Sequence, residues 1–356
     1  MFPHMNVAVE SDPSHSTCPH CKEVYDGTGL KLAQKIICPH CHLEISHEIK
    51  FGDFILKRKL GSGGTCTVYL AYDSRANLEV ALKILDEKLA QNPDAVKQFL
   101  EESRVTSTLK FPHIINVFRC GDYAGKYFLS MELLTGGSFD DRIVKEGIVP
   151  EIDCLKIGIQ SAQALQYASA RGLLHRDVKP GNILFDSEKR VKVVDFGLSA
   201  RRGGPNPNTG EIWGTAYYVP PERLAGQNED LRSDIYGLAA SLYHGLTGRP
   251  PYSAADPNAE APSSKPESKK VFSTKMFAKI FAQVACQQQE GKLGQMRKTN
   301  PKIFLRTSNA IEKALSPKPK DRFQSYGDFI QAMQDAIRFG PKSMLQPSVP
   351  QVPQPK

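Results

Sequence analysis

Four of the eight cysteines stand in two pairs whose spacing suits the binding of a metal ion. The pairs are Cys18-Pro-His-Cys21 and Cys38-Pro-His-Cys41, and 16 residues separate them. Each pair can present two thiolates on a tight turn, and a hairpin of this length brings both turns to one tetrahedral zinc ion. Four protein ligands leave no open position for water, so the pattern favours structural zinc over catalytic zinc. We therefore predict a zinc-ribbon-like domain over residues 17–45.

Two alternatives to this zinc site remain open in the sequence. His20, His40 and His42 lie beside the cysteines and could compete as ligands, although only the thiols repeat symmetrically. A ribbon of this kind could also bind nucleic acid, but between the pairs the lysines are sparse and Tyr25 is the only aromatic residue. Few apolar residues lie there, so zinc would have to supply much of the folding free energy.

A second set of residues suits the handling of phosphate. The stretch Leu60-Gly-Ser-Gly-Gly-Thr-Cys66 is a glycine-rich turn, in which Gly61 and Gly63 allow the backbone to approach a phosphate closely. Lys83 follows in a strand-like stretch and Glu102 in a helix-like one. The sequence therefore predicts a phosphate-binding turn with a lysine and a glutamate on separate elements after it.

The apolar pattern predicts the elements that position these residues. Three strands are expected around the glycine-rich turn, at 51–60, 67–73 and 79–85. A helix that carries Glu102 follows, with Asn92 as its N-terminal cap.

Two longer helices are expected further along the chain. Apolar residues recur every three or four positions from Ile152 to Ala168, which marks one face of a helix that stops near Gly172. The stretch 235–246 is rich in apolar residues but shorter than the roughly 20 residues that span a membrane. We expect it to form a buried helix.

Six motifs in order give residues 51–340 a resemblance to the eukaryotic-like, bacterial-type protein serine/threonine kinase family. They are the glycine-rich turn, Val80-Ala-Leu-Lys83, Glu102, His175-Arg-Asp177 to Asn182, Asp195-Phe-Gly197 and Pro220-Pro-Glu222. One glycine-rich turn would be weak evidence, but the ordered series is highly specific. The resemblance implies an α+β, two-lobed protein kinase fold: an antiparallel β N-lobe with one helix at 51–134 and a mainly helical C-lobe at 135–340. ATP would lie in the cleft between the lobes.

The resemblance also implies how ATP and magnesium would be held. Lys83 would pair with the α and β phosphates, and Glu102 would hold that lysine in place. Asp195 would bind the Mg²⁺ that bridges the phosphates, and Asn182 a second Mg²⁺. The residues implied around the adenine are Val68, Ala81, Leu184, the gatekeeper Met131, and the backbone from Glu132 to Leu134.

The implied reaction needs a base and a charge near the transferred phosphate. Asp177 would orient the substrate hydroxyl and accept its proton, and Lys179 would neutralise charge on the phosphoryl group. A lysine two residues after the catalytic aspartate resembles the serine/threonine branch of the family rather than the tyrosine branch. Arg322 would pair with Glu222 as a buried support of the C-lobe.

Departures from the family pattern leave the catalytic side chains in place. Cys66 replaces the third glycine, Pro220 replaces an alanine, and Gly237 and Ala239 alter the pattern after Asp234. We therefore expect an active, ATP-dependent protein serine/threonine kinase, with a nucleotide-binding pseudokinase scaffold or a ribbon-mediated interaction protein as the alternative. Cys66 is either a tolerated small residue or a thiol whose oxidation would block ATP.

Regulation is expected at Arg176 and the activation segment, residues 195–222. In the family this arginine often pairs with a phosphate on that segment. Thr209 is the candidate autophosphorylation site, and a homodimer could serve trans-autophosphorylation. Glu211 could offer Arg176 a permanent carboxylate instead, and Thr215 is expected to help receive the substrate hydroxyl.

Composition and the remaining segments complete the expectations. We expect a disordered N-terminus at 1–16, a low-complexity insertion at 253–270 and a Pro/Gln-rich tail at 341–356. The net charge of +8 is spread along the chain, so protein substrates and ATP are the expected partners rather than nucleic acid.

No signal peptide or membrane-spanning segment is expected, and the pattern of cysteines suits a reducing, cytoplasmic compartment. Only residues 42–50 join Cys41 to Phe51, so the ribbon should stay near the N-lobe.

Overall fold

The computed structural model describes residues 15–196, 200–201, 216–252, 282–288, 293 and 295–340. They belong to two compact units, Met1–Gly136 with Asp186–Lys189 and Gly137–Phe185 with Arg190–Lys356. The first unit contains the cysteine pairs and the main β-sheet, and the second contains most of the helices. The expected insertion at 253–270 and the expected tail at 341–356 lie outside the described residues.

The cysteine-rich segment folds as two β-hairpins of the same design. Its strands are β1 (His15–Thr17), β2 (Val24–Asp26), β3 (Lys35–Ile37) and β4 (Glu44–Ser46), paired β1–β2 and β3–β4. The residue after the second cysteine of each pair has a left-handed backbone, with a φ of 65° at Lys22 and 57° at His42. The N–H of each of these residues donates to the carbonyl of the first cysteine of its pair, at 3.1 Å and 3.0 Å. We call this segment, residues 15–47, the ribbon.

The ribbon begins and ends beyond the boundaries expected from the sequence. Ser16 pairs with Tyr25 across the first hairpin, and its Oγ donates a hydrogen bond of 3.2 Å to the carbonyl of Glu48. At the other end, the backbone N–H and C=O of His47 pair with the loop between the hairpins. Residues 15 and 16, which the sequence assigns to the N-terminal segment 1–16, therefore belong to the first hairpin, and residues 1–14 lie outside the described part of the chain.

A six-stranded antiparallel sheet forms the main part of the first unit. Its strands are β5 (Ile49–Phe51), β6 (Phe54–Ser62), β7 (Cys66–Asp73), β8 (Leu78–Leu85), β9 (Val117–Tyr123) and β10 (Lys126–Glu132), paired in the order β5-β6-β7-β8-β10-β9. Helices α1 (Glu87–Ala90) and α2 (Pro93–Thr108) lie between β8 and β9 in the chain. The side chain of Asn92 accepts hydrogen bonds from the N–H groups of Asp94 and Ala95, and so caps α2 as the sequence predicts.

The ribbon packs directly onto this sheet. Leu32, in the loop between the hairpins, lies against an apolar cluster formed by the strands. The buried members of this cluster are Phe51, Phe54, Leu56, Ala71, Val80, Leu82 and Phe128. Only His47 and Glu48 separate β4 from β5, so the ribbon joins the sheet without a flexible linker.

The second unit is mainly helical. Its helices are α3 (Phe139–Glu146), α4 (Glu151–Ser169), α5 (Pro221–Leu224), α6 (Leu231–Thr247), α7 (282–288), α8 (Met296–Thr299), α9 (Leu305–Ala314) and α10 (Tyr326–Arg338). Its short strands are β11 (Leu173–Leu174), β12 (Ile183–Phe185), β13 (Val191–Val193) and β14 (Ala200–Arg201), paired β11–β14 and β12–β13. Helix α4 ends before Gly172, as the apolar pattern predicts.

Helix α6 forms the core of the second unit. Every residue from 233 to 247 is buried, which confirms the buried helix expected over 235–246. A Cβ built at Gly158 of α4 would lie 2.6 Å from Leu242 of α6 and 2.7 Å from Met333 of α10. Glycine therefore allows these three helices to pack at close range. In the part of the chain that the structure describes, no helix combines the length and apolarity that crossing a membrane requires.

Candidate active site and candidate metal centre

Lys83 and Glu102 meet in the first unit. Lys83 lies on β8, opposite Val68 of β7, and Glu102 lies on α2. The distance from Lys83 Nζ to Glu102 Oε1 is 3.2 Å, and the two side chains are only 14% and 13% exposed. Water screens this pair less than it screens a surface pair, so losing either partner would leave a costly, poorly solvated charge.

An apolar cluster between the sheet and α2 holds that helix in place. Its buried members are Cys66, Leu85, Phe99, Val117 and Leu129. Phe99 lies about one turn before Glu102 on α2, so the cluster fixes the part of the helix that carries the glutamate. The Cys66 side chain is 7% exposed and belongs to this core. Because oxidation requires an accessible thiolate, this burial favours a packing role for Cys66 over the redox hypothesis.

The glycine-rich turn between β6 and β7 is tight, and its backbone is accessible. The N–H of Gly63 donates to the carbonyl of Cys66 at 2.9 Å, and the N–H of Asp86 donates to the carbonyl of Thr65 at 2.9 Å. A Cβ built at Gly61 would meet no atom of the described residues within 4 Å. The turn therefore leaves space beside its backbone that a phosphate group could use.

Most residues implied around the adenine lie on adjacent strands of the same sheet. Val68 is paired with Lys83 across β7 and β8, and Ala81 is paired with Met131 across β8 and β10. Glu132 ends β10, and Leu134 follows it by two residues. Leu184 lies on β12 of the second unit.

In the second unit, Asp177 is the centre of a small polar cluster. Lys179 Nζ lies 2.7 Å from Asp177 Oδ2, and Asn182 Nδ2 donates to the same oxygen at 3.0 Å. Asn182 Nδ2 also donates to the Asp177 carbonyl at 2.8 Å, which closes the loop that carries these residues. Three of the predicted site residues thus meet at one carboxylate.

Buried hydrogen bonds fix the backbone of the loop that carries these residues. Asp234 of α6 accepts from the N–H of His175 at 2.9 Å and from the N–H of Arg176 at 2.8 Å. The N–H of Asp177 donates to Nδ1 of His175 at 3.2 Å, so Nδ1 is the unprotonated ring nitrogen. Nε2 then carries the proton and donates to the carbonyl of Val194 at 2.9 Å.

The register of β12 and β13 brings Asn182 and Asp195 to the same end of a two-stranded ladder. Ile183 pairs with Val193, and the N–H of Val194 donates to the carbonyl of Asn182 at 3.0 Å. Asp195 is the next residue, is exposed, and has a left-handed φ of 66°. An amide and a carboxylate at one end of this ladder are oxygen donors of the kind that Mg²⁺ accepts.

Arg322 and Glu222 form the buried pair that the resemblance implies. Arg322 Nη1 and Nη2 donate to the two oxygens of Glu222, each at 2.7 Å. The two side chains are 0% and 3% exposed, and the Ser233 hydroxyl donates to Glu222 at 2.6 Å. This two-point contact ties the segment after α9 to α5.

Arg176 has a carboxylate partner that the sequence interpretation missed. Its Nε lies 3.6 Å from Oε2 of Glu229, whose Oε1 lies 2.6 Å from Nη2 of Arg223. Burial lowers the pKa of Arg176, and the charge of Glu229 opposes that change. Among the expected regulatory residues, Thr209, Glu211 and Thr215 lie outside the described part of the chain.

The four cysteines of the ribbon converge as their spacing predicts. Their Sγ atoms all lie within 4.8 Å of one another. The distance is 3.7 Å from Cys18 Sγ to Cys41 Sγ and 3.8 Å from Cys21 Sγ to Cys38 Sγ. Tetrahedral zinc with Zn–S bonds of about 2.3 Å requires sulfurs about 3.8 Å apart, so the observed separations fit that ion.

The electrostatics of the cluster also favour a bound cation. The N–H of Cys41, with that of His40, lowers the pKa of Cys38 to about 6. The N–H of Glu23 favours the Cys21 thiolate, yet burial and the neighbouring sulfurs raise the pKa of Cys21 to about 12. Four thiolates cannot gather at this distance without a cation to offset their repulsion.

Comparisons with known proteins agree with this geometry. The family model described as "Protein kinase domain" matches residues 54–334. Serine/threonine-protein kinase PknB of Mycobacterium tuberculosis H37Rv is 36% identical over 205 residues, which cover 56% of this chain and 33% of the relative. Serine/threonine-protein kinase PknE of Mycobacterium bovis is 36% identical over 204 residues, covering 57% and 36%. The chain thus spans about a third of the length of the curated relatives that it matches.

A solved structure supports the fold independently. The kinase domain of Mycobacterium tuberculosis PknI matches with a TM-score of 0.58 and 26% identity, covering 82% of this chain and 99% of the other. The family match extends over well more than half of the chain and includes each charged residue from Lys83 to Asp195 discussed above. The resemblance noted in the sequence is therefore confirmed, and this chain belongs to the protein kinase domain family.

Proposed function

We propose that this chain transfers the γ-phosphate of Mg-ATP to serine and threonine hydroxyls of proteins, its own activation segment included. The observation that carries the proposal is the set of contacts around Asp177, whose carboxylate lies 2.7 Å from Lys179 Nζ and 3.0 Å from Asn182 Nδ2. These groups serve phosphoryl transfer, and a scaffold that only binds nucleotide does not need them. The relatives named above are described as serine/threonine kinases, which supports the same activity.

Different charged residues are assigned to the phosphates and to the magnesium ions of Mg-ATP. We assign the α and β phosphates to Lys83, which Glu102 orients through the ion pair of 3.2 Å. We assign the magnesium ions to Asp195 and Asn182. Mg²⁺ held there would bridge phosphate oxygens and offset their charge.

Asp177 acts on the substrate hydroxyl in this proposal. Its carboxylate orients the hydroxyl and accepts the proton as the hydroxyl oxygen attacks the γ-phosphorus. The Lys179 ammonium group lies against the same carboxylate and neutralises charge on the transferred phosphoryl group. The adenine is assigned to Val68, Ala81, Met131, the backbone from Glu132 to Leu134, and Leu184, with Gly61 and Gly63 beside the phosphates.

We propose a structural zinc ion on the four ribbon cysteines. The sulfur separations of 3.7 Å and 3.8 Å support this assignment. Four protein ligands would complete the tetrahedron, which leaves the ion no catalytic position. The cysteine pattern, with four cysteines in two tight pairs and four scattered along the chain, also supports a reducing, cytoplasmic location.

Thr209 is the proposed autophosphorylation site, and Thr215 is the proposed contact for the substrate hydroxyl. Their spacing within residues 195–222 supports both assignments. A transient homodimer would let one copy phosphorylate another. Mapping phosphosites after incubation with ATP would identify Thr209 or replace it.

The activity is tested by incubating the purified chain with Mg-ATP labelled at the γ-phosphate, beside the Asp177→Asn variant. We expect label on the wild type and on a generic serine/threonine substrate, and a loss of at least about 10³-fold in the variant, because it lacks the base. Thermal stabilisation by ATP without transfer of label would identify a nucleotide-binding scaffold and contradict the proposal.

A further inference from the structure

Two arginines and one glutamate form a buried cluster next to the catalytic loop. The side chain of Glu229 is 2% exposed, and those of Arg176 and Arg223 are 4% and 12% exposed. Arg223 Nε and Nη2 both donate to Oε1 of Glu229, at 2.9 Å and 2.6 Å. Oε2 of Glu229 faces Arg176 Nε at 3.6 Å. One carboxylate is thus shared by two guanidinium groups.

Glu229 is held firmly by the elements on both sides of it. Arg223 belongs to α5, and the next residue after Glu229 is Asp230, the N-terminal cap of α6. The Asp230 side chain accepts the N–H of Arg232 at 2.8 Å, which fixes the start of α6. The Glu229 carboxylate therefore lies at a defined position between two helices.

Arg176 connects the Glu229 carboxylate to the proposed catalytic residue Asp177. Its left-handed backbone, with a φ of 65°, directly precedes Asp177. Asp234 fixes its N–H, whereas Nε and Nη1 of its side chain make no hydrogen bond to any described residue. A buried guanidinium group with so few donors satisfied depends strongly on a nearby negative charge.

We propose that Glu229 is a positioning residue for phosphoryl transfer, whose carboxylate holds Arg176 and thereby the backbone that carries Asp177. The inference rests on the proposed function. It adds that Glu229, a residue of the second unit, supplies part of the negative charge that balances Arg176. Glu211, which the sequence offers as a carboxylate for this arginine, lies outside the described residues, and Glu229 is a further carboxylate that the sequence interpretation did not include. The carboxylate acts through Arg176 and does not touch substrate.

The test compares Glu229→Gln, which removes the charge at constant size, with Glu229→Asp, which keeps it. Glu146→Gln is the matched control, because Glu146 also pairs with an arginine of the second unit, at 2.9 Å, but is more exposed. For each protein, kcat, the KM for ATP and the unfolding midpoint are measured. Hydrogen exchange of the backbone over residues 174–184 is measured on the same samples, and it reports on the loop whether or not the protein is active.

Glu229→Gln should lower kcat by about 10²-fold at an almost unchanged KM for ATP, because a displaced Asp177 impairs the chemical step more than nucleotide binding. Exchange over 174–184 should rise about tenfold. Glu229→Asp should recover a large part of the wild-type kcat and of the wild-type protection from exchange. Glu146→Gln should match the wild type in both measurements. If Glu229→Gln does not fold, the comparison of Glu229→Asp with Glu146→Gln decides the role of Glu229. In that case Glu229→Asp should show a smaller fall in kcat and a smaller rise in exchange over 174–184.

Unchanged exchange over 174–184 in Glu229→Gln would overturn the inference. So would equal losses in Glu229→Gln and Glu229→Asp that follow the unfolding midpoint, because they would indicate a purely structural role. A wild type that transfers no phosphate would instead refute the proposed function, and the exchange data would still decide the role of Glu229.

Discussion

At the scale of single residues, two positions of the proposed site adopt a backbone conformation that a residue with a Cβ disfavours. Arg176 and Asp195 have φ values of 65° and 66°, in the left-handed region. This conformation costs about 1–2 kcal/mol for a residue with a Cβ. Neighbours offset the cost: Asp234 accepts a hydrogen bond from the N–H of Arg176, and Phe196, next to Asp195, packs at a tilt against the His175 ring with ring centres 4.6 Å apart. Strain of this kind persists only where the surrounding structure holds it.

Lys83→Met should lower kcat/KM for ATP by at least about 10²-fold, because the variant lacks the ammonium group assigned to the phosphates. Lys57→Met is the control. Lys57 pairs with Glu79 on the same sheet at 2.9 Å, but its side chain is 35% exposed and it has no assigned role. Steady-state kinetics on both variants check this, and equal activity of Lys83→Met and wild type would contradict the assignment of Lys83.

The residues with fixed motif spacing could be predicted from the sequence, and those defined by contacts across the fold could not. Asp177, Lys179 and Asn182 lie within six residues of one another in one motif, so the resemblance to the kinase family implies that they share a site. Glu229 meets Arg176 only because α5 and α6 fold beside the catalytic loop. The burial of Cys66 likewise depends on Phe99, which lies on a different element.

At the scale of elements, strand and helix positions followed from local pattern. The cap of α2 and the buried α6 both carry strong signals, a capping side chain and a continuous apolar run. The packing of the ribbon against the sheet had no such signal, because Leu32 is one ordinary leucine in a loop. Contacts between elements depend on shape as well as composition, and for this reason single-sequence patterns miss them.

Helix α6 carries a histidine whose burial should make the protein sensitive to acid. His244 is 3% exposed, and burial lowers its pKa from 6.5 to about 4. Between these values the unfolded chain binds a proton that the folded chain does not, so the free energy of unfolding falls as pH falls from 6.5 to 4. At pH 5 the expected contribution is a loss of about 2 kcal/mol relative to pH 7.

Urea unfolding at pH 7 and pH 5 measures this contribution. His244→Gln keeps an acceptor for the Tyr218 hydroxyl, which lies 2.8 Å from His244 Nδ1, but has no group that titrates in this range. The variant should lose less stability than the wild type between the two pH values. The same loss in both proteins would show that His244 does not contribute.

At the scale of the whole molecule, the ribbon and the six-stranded sheet form parts of one compact unit. The ribbon contributes Leu32 to the apolar cluster of the sheet, and Ser16 Oγ donates to the carbonyl of Glu48 beside β5. Metal binding should therefore stabilise the sheet as well as the ribbon against unfolding.

Purified chain should contain one zinc ion, and Cys38→Ser should lose it and lower the unfolding midpoint by several degrees. The loss of the metal would unfold the ribbon and remove Leu32 from the cluster on the sheet. Cys286→Ser is the control, since Cys286 is exposed and lies on α7, outside the ribbon. Elemental analysis and thermal unfolding check both variants, and full zinc content in Cys38→Ser would contradict the four-cysteine site.

The junction of only two residues between β4 and β5 fixes where any molecule on the ribbon would be found. A flexible tether of ten glycine-rich residues would spread its cargo over distances of about 18 Å. The two-residue junction instead holds the ribbon at one position beside the edge strand β5. A protein captured by the ribbon would be presented in one orientation, so selection among partners would depend on their shape as much as on their affinity.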